Sequence, residues 1–135
     1  MTQTTGQTTP HVLRVDVTPK HATPDARTLQ AAAAAGMTQL AGAVSGQVAW
    51  IETDTPLSAG DVRTIQDVLA DPVLEDAHTA PGSGPAFAYD VACEVAFKPG
   101  VQDNPANAIR DALHLALPDL QCRVASGRLH FLTGL

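Results

Sequence analysis

Aromatic side chains are scarce in this chain of 135 residues, at 4% of the total, so its core must be built mostly from Ala, Val and Leu. Small side chains bury little apolar surface each, and the hydrophobic contribution to stability grows with the area that is buried. We therefore expect a modest core, belonging to one domain or to two very small ones, that gains some of its stability from a partner.

Basic residues are also few, since eight Lys and Arg stand against fourteen Asp and Glu for a formal charge of −6. Nucleic-acid binding needs clustered cations that displace counterions from phosphates, whereas the cations here are scattered. The longest apolar stretch, the alanine run at 31–35, is far shorter than the ~20 residues that span a bilayer. We expect a protein that binds neither nucleic acid nor a membrane.

Neither a signal peptide nor a cysteine framework is evident. Residues 1–10 lack positive charge and an apolar segment and are rich in Thr and Gln, which predicts a disordered tail. Cys93 and Cys122 are the two cysteines, and they form no C-x-x-C pair. We expect both to be reduced, buried thiols in a cytoplasmic protein.

The first half of the chain alternates between strand and helix patterns. Period-2 alternation predicts half-buried strands over 11–18 and 43–53. Thr23-Pro24-Asp25 is typical of a helix start, with a capping hydroxyl followed by Pro at the first helical position. That helix should end near Gly36 and carries one apolar stripe, formed by Leu29, Ala32, Ala33 and Met37.

A second helix and a short strand complete this half. Ser58 and Asp61 predict a capped helix start, and Asp71-Pro72 ends that helix because the residue before Pro avoids the α region. Residues 73–77 are a candidate third strand. The turn-rich stretch 79–85 predicts a linker between the halves.

The second half repeats this order as far as it goes. Alternation predicts a long strand over 87–98, with one apolar face formed by Phe87, Tyr89, Val91, Cys93, Val95 and Phe97. Asp103-Asn104-Pro105 predicts a helix cap, followed by a helix over 105–117. A final strand is expected over 121–132.

A shift of 80 residues superposes apolar positions of the two halves, for example Val15 on Val95 and Val17 on Phe97. We therefore predict an α+β fold of tandem β-α-β-α-β units with antiparallel sheets. The first unit would occupy 11–78 and the second, incomplete as β-α-β, would occupy 86–135. Each sheet would leave one face bare, so the units should pack back to back or share one continuous sheet.

Several segments resemble the PurS-like region of phosphoribosylformylglycinamidine synthase. They are Leu57-Ser58, residues 68–75 (VLADPVLE), residues 98–105 (KPGVQDNP) and residues 126–129 (SGRL). In that family the region is a small subunit or a duplicated N-terminal domain of the synthetase chain. The resemblance implies a non-catalytic assembly module of purine biosynthesis, with the synthetase and glutaminase chains as partners and no cofactor or catalytic residue of its own.

Few residues offer chemistry of their own. The five histidines are dispersed, with no H-x-H or H-x-x-x-H pair, so we predict no metal site. Asp103 and Asn104 are predicted to form either a helix cap alone or a cap that also presents its loop to a partner surface, flanked by Lys98 and Arg128. These four residues are our candidate interface.

Three hypotheses follow. The first is the assembly module, with a homo-oligomer as one possible form. The second is a small doubled α+β domain that senses a metabolite bound at its interface. The third, which we regard as the weakest, is an enzyme that uses Cys93 with His114 or His130, or Cys122.

Overall fold

The computed structural model of the chain describes residues 10–79, 84–98 and 100–134. The described elements are, in chain order, β1 (His11–Pro19), α1 (Ala26–Ala34), β2 (Gly42–Thr53), α2 (Ala59–Leu69), β3 (Glu75–His78), β4 (Val91–Ala96), α3 (Asn104–Ala116) and β5 (Cys122–Thr133). This arrangement confirms the predicted α+β class. None of the helices in this part of the chain is long and apolar enough to cross a membrane.

Two of the predicted segments fall largely outside the described residues. Of the predicted tail at 1–10, only Pro10 is described, and it is exposed. Of the predicted linker at 79–85, residues 80–83 lie outside the described ranges.

The described strands form one antiparallel sheet with the order β3-β1-β2-β5-β4. Its central pair is β2 and β5, which run side by side from Gly42 opposite Thr133 to Thr53 opposite Cys122. The two halves of the chain therefore share a single continuous sheet, one of the two arrangements that the sequence leaves open. β3 and β4 are the edges of this sheet.

The principal core lies between the sheet and the helices α2 and α3. Ile65 of α2 and Leu113 of α3 pack there with Val15, Val17 and Ile51 of the sheet, and all five side chains are at most 1% exposed. Complete burial of an aliphatic side chain stabilises a fold by about 1.5–3 kcal/mol. This cluster is therefore the main source of hydrophobic stability.

The helix α1 covers the same face of the sheet with a smaller cluster. Leu29 and Ala32 of α1 pack near Leu40, Ala43 of β2 and Leu132 of β5, but no residue of α1 is fully buried. Alanine offers little apolar area to bury, so the packing of this Ala-rich helix on the sheet contributes less hydrophobic stabilisation.

The opposite face of the sheet is covered by side chains of the segment that precedes β4. Val48, Leu129 and Phe131 are buried on this face. The rings of Phe87 and Tyr89 pack edge-on against Phe131, with centroids 5.4 and 5.0 Å from it. The described residues before β4 thus shield the face that the sequence predicts to be bare.

The start of α1 differs from the prediction. The sequence indicates Thr23 as the N-cap, but Asp25 is the N-cap, because its carboxylate accepts a hydrogen bond from the backbone N–H of Thr28 at 3.1 Å. The end of the helix agrees with the prediction, because α1 ends at Ala34 and Gly36, with φ of 98°, directly follows the C-cap Ala35. Met37, predicted to lie on the apolar stripe, is consequently exposed.

The strand predicted over 87–98 is shorter and does not present one apolar face. Phe87 and Tyr89 contact Phe131, whereas Cys93 lies opposite His130, whose side chain points to the helix-covered face. Pairing with β5 begins only at Val91, and the preceding residues turn to cover the other face. Cys93, expected to be buried, is therefore exposed.

Candidate functional site

A carboxylate ties the start of α1 to the central strand β2. Asp25 caps the helix, and its Oδ2 accepts hydrogen bonds from the hydroxyls of Thr28, at 2.6 Å, and of Ser45. The serine lies in β2, so this contact joins the helix start to the sheet.

An equivalent contact ties α3 to β5. Asp103 caps α3 by accepting from the backbone N–H of Ala106 at 2.9 Å. Its carboxylate also accepts from the backbone N–H and the hydroxyl of Ser126, at 2.7 and 2.6 Å. We call these two contacts the Asp25 anchor and the Asp103 anchor.

Each anchor serine is followed by a glycine that admits a neighbouring strand closely. A Cβ at Gly46 would lie 2.5 Å from the carbonyl oxygen of Val17, and one at Gly127 would lie 2.8 Å from that of Val95. The anchors thus relate Val17 to Val95, 78 positions on, and Gly46 to Gly127, 81 positions on. The 80-residue alignment paired Val95 with Val15 instead, and a duplication of the two halves stays a prediction.

Between the two anchors, the helix-covered face is open and forms a groove. Its larger part has a volume of about 980 Å³ and is lined by polar groups that include His21, Arg27, Glu75, Arg128 and His130. A second depression of about 450 Å³ shares Ser45 and Arg128 with it and reaches Ser126. The groove therefore runs from one anchor to the other, across the central pair of strands.

The charges in the groove follow from its hydrogen bonds. The hydroxyls of Ser45 and Thr28 hold the pKa of the Asp25 carboxyl well below its usual range, so this group is an anion at neutral pH. Burial lowers the pKa of His130, and the charge of Arg128 lowers it further. The imidazole is therefore neutral at physiological pH.

An aspartate, a serine and a histidine meet here, but their order does not suit nucleophilic catalysis. The Ser45 hydroxyl donates to Asp25, and its Oγ lies 2.9 Å from Nδ1 of His130. A nucleophilic serine needs a base that takes its proton, whereas this proton is directed at a weakly basic carboxylate. The same anchor recurs at Asp103 without a histidine, so its role is to position the helix.

The four residues predicted to contact a partner lie in different environments. Asp103 is half-buried and committed to its anchor. Burial alone would raise the pKa of its carboxyl, but the hydrogen bonds from Ser126 and Ala106 outweigh this effect and lower the pKa. Arg128 is exposed in the groove. Lys98 and Asn104 are exposed and line neither depression of the groove.

Sequence reasoning missed Asp25 and Ser45 as site residues, and it named His130 only as a catalytic partner of Cys93. One signal for the first two was present, since in both halves a capping Asp precedes a Ser-Gly pair by a similar interval. His130 lies beside Ser45 because of the register in which β2 and β5 pair, and no sequence motif predicts that register.

The thiols do not form a catalytic pair. Cys93 lies opposite His130 in the sheet, but no hydrogen bond joins their side chains within the described residues. Burial raises the pKa of the Cys122 thiol, which disfavours the reactive thiolate.

Metal ligands do not converge either: over 10–79, 84–98 and 100–134, no three His, Cys, Asp or Glu side chains lie together as a metal site requires. Neither a family model nor a curated protein matches this chain.

Proposed function

We propose that this chain is a non-catalytic assembly module of phosphoribosylformylglycinamidine synthase, of the PurS-like type, which bridges the synthetase and glutaminase parts of that enzyme. The family is suggested by the sequence segments that resemble it. The observation that carries the proposed role is that two of these segments hold large apolar side chains in solvent.

The two segments form loops at the ends of secondary-structure elements. Val73 is 75% exposed and the neighbouring Leu74 is also exposed, in the turn between α2 and β3. Val101 is 53% exposed in the loop between β4 and α3. Because loops on a rigid scaffold often carry binding residues, apolar side chains held in such loops support a role in protein contacts.

The polar groups of the groove also support a scaffold role. Asp25 and Asp103 are both committed to anchors, and the Ser45 hydroxyl donates its proton to Asp25 and not to His130. A cytoplasmic location is part of the proposal, because the two cysteines are unpaired thiols.

A binding experiment with purified synthetase and glutaminase chains tests this proposal. The full chain, immobilised, should capture both proteins, and the variants Val73→Ser with Leu74→Ser, and Val101→Ser, should each reduce the capture. Leu115→Ser is the matched control, because Leu115 on α3 is 83% exposed but lies outside the segments that resemble the family. If the wild-type chain captures neither protein, the proposal is wrong.

Metabolite sensing is the second candidate function, and the groove is the observation that favours it. Arg128 lies in the groove, and its guanidinium forms no salt bridge within the described residues, so an anionic ligand is the chemistry that it would recognise. A panel of phosphorylated and carboxylated metabolites should raise the melting temperature of the wild-type chain but not of Arg128→Gln. A flat response of the wild type across the panel would exclude this function for the compounds tested.

A further inference from the structure

The strands β1 and β4 hold corresponding positions on either side of the central pair, but among the described residues a helix and a further strand cover β1 and not β4. The carbonyl of Val17 in β1 approaches Gly46 in the way that the carbonyl of Val95 in β4 approaches Gly127. Val17 is 1% exposed, whereas Val95 is 55% exposed. Corresponding valines thus have opposite environments.

A helix and a strand account for the burial of β1. Ile65 of α2 packs on Val17 from the helix-covered face. The strand β3 pairs with the outer edge of β1, with Ala77 opposite Val17. Together α2 and β3 form a helix–strand unit that closes one end of the sheet.

A charge contact also joins this unit to the end of β1. The ammonium group of Lys20, just after β1, lies 2.6 Å from a carboxylate oxygen of Asp76 in β3. The backbone N–H of Lys20 also donates to the carbonyl of Leu74 at 2.9 Å. An acidic residue of the strand is therefore matched to a lysine of the sheet.

The strand β4 is followed by a lysine that corresponds to Lys20, but no helix–strand unit packs on it within the described residues. Lys98 follows Val95 by the same three positions that separate Lys20 from Val17, and it forms no salt bridge within the described residues. β4 is an edge of the described sheet, and Val91, Cys93 and Phe97 on or next to it are exposed. An exposed edge strand with apolar side chains is a template for pairing with another chain.

We propose that β4 and Lys98 are the docking site of a partner polypeptide that presents a helix followed by a short strand, with an acidic residue on that strand facing Lys98. The strand adds to the free edge of β4 by main-chain hydrogen bonds, and the helix covers Val91 and Val95. The acidic residue forms with Lys98 the contact that Asp76 forms with Lys20. The inference does not depend on the proposed function, because it rests only on contacts within this chain.

A synthetic peptide of residues 57–79, which contains α2 and β3, is the probe. Added to the full chain, it should bind one to one and slow amide hydrogen exchange over 91–96, while exchange in β1 stays unchanged. Lys98→Glu should weaken binding by about tenfold, since it sets like charges against each other. A peptide carrying Asp76→Lys should bind the Lys98→Glu chain with about the affinity that the unmodified peptide has for the wild-type chain.

A charge-matched control variant and a covalently linked form of the peptide make the test decisive. Arg110→Glu on α3 makes the same change in net charge away from β4 and should leave binding unaltered. A fusion of the peptide after Leu135 through a glycine–serine linker raises the effective concentration, so weak affinity does not hide the site. The inference is overturned if neither format protects 91–96, or if Lys98→Glu binds like the wild type. It is equally overturned if the chain instead dimerises through β4 and excludes the peptide.

Discussion

Arg14 of β1 and Glu94 of β4 form an ion pair, with 2.8 Å between Nη2 and Oε2, although β2 and β5 lie between their strands. In a flat sheet, three intervals of about 4.8 Å would separate these strands by about 14 Å. The register also sets Arg14 level with Ala125 but Glu94 level with Leu129, which adds about 13 Å along the strands. The resulting diagonal of about 19 Å exceeds the combined reach of an extended Arg and Glu side chain. The sheet therefore curves around the face that these side chains share. The guanidinium of Arg14 also lies 5.7 Å from the ring centroid of Trp50, which places a long side chain over the apolar cluster of that face.

This geometry predicts unequal effects of removing the two partners. Both side chains are partly exposed, and exposed ion pairs contribute about 0.2–1 kcal/mol, so Glu94→Gln should lower the free energy of unfolding by less than about 1 kcal/mol. Arg14→Ala should lower it more, because it also uncovers Trp50. Urea denaturation at low and high salt measures the loss in the free energy of unfolding for each variant. Arg14→Met is the control, because it removes the charge but keeps an apolar side chain over Trp50. A loss above about 2 kcal/mol for Glu94→Gln would contradict this account.

The Asp103 anchor should contribute more than an ordinary helix cap. Asp103→Ala removes three hydrogen bonds and leaves the backbone N–H of Ser126 without its acceptor, so we expect a loss of about 2–3 kcal/mol. Ser126→Ala removes only the hydroxyl contact and should cost about 1 kcal/mol. Ser58→Ala, at the exposed cap of α2, is the reference, with an expected loss of about 1 kcal/mol. Equal losses in unfolding experiments on Asp103→Ala and Ser58→Ala would show that the anchor adds nothing.

The close approach at the anchor glycines predicts a position-specific effect of adding one methyl group. Gly46→Ala and Gly127→Ala place a Cβ within 2.8 Å of a backbone carbonyl, so each should lower the free energy of unfolding by about 1–3 kcal/mol. Gly84→Ala meets no atom within 4 Å and is the matched control. Thermal and urea unfolding of the three variants would test this, and the idea fails if Gly46→Ala is as stable as Gly84→Ala.

Acid should weaken the fold first through the groove histidine. Burial, together with the charge of Arg128, lowers the pKa of His130 in the folded chain, while in the unfolded chain it is about 6.5. The unfolded chain then binds a proton at a pH where the folded chain does not, so stability is highest above about pH 6.5 and falls as the pH drops below that. Urea unfolding across this range measures the loss, which His130→Gln should reduce. His114→Gln, on the surface of α3, is the control, and an unchanged slope in His130→Gln would refute the assignment.

A further loss is expected below about pH 4, where the anchor carboxylates of Asp25 and Asp103 matter. The folded chain holds both pKa values below their usual value, so the unfolded chain takes up protons first as the pH falls through about 3.9. The contribution is fully present above that pH and disappears as the pH approaches the folded pKa values. Asp25→Asn with Asp103→Asn should remove part of this loss in the same urea experiment, and a double variant as acid-sensitive as the wild type would contradict it.

Much of the fold could be predicted because its determinants are local. The alternation of β1 and β2, the Ser58 cap of α2 and the Asp103 cap of α3 each depend on a few adjacent residues, and the structure agrees with them. The site could not be predicted in the same way. Ser45 and His130 are 85 positions apart and meet only because β2 and β5 pair in one register.

The sequence by itself determined the α+β class and the approximate extent of most of the strands and helices, and its scarcity of cations predicts that the chain does not bind nucleic acid. Only the tertiary structure decided that the strands share one curved sheet, that Phe87 and Tyr89 turn to the face opposite Cys93, and that no helix or further strand of the described residues covers β4. The physical reason is that local hydrogen bonding and side-chain period are written in neighbouring residues, whereas strand order and burial depend on which distant surfaces exclude water together.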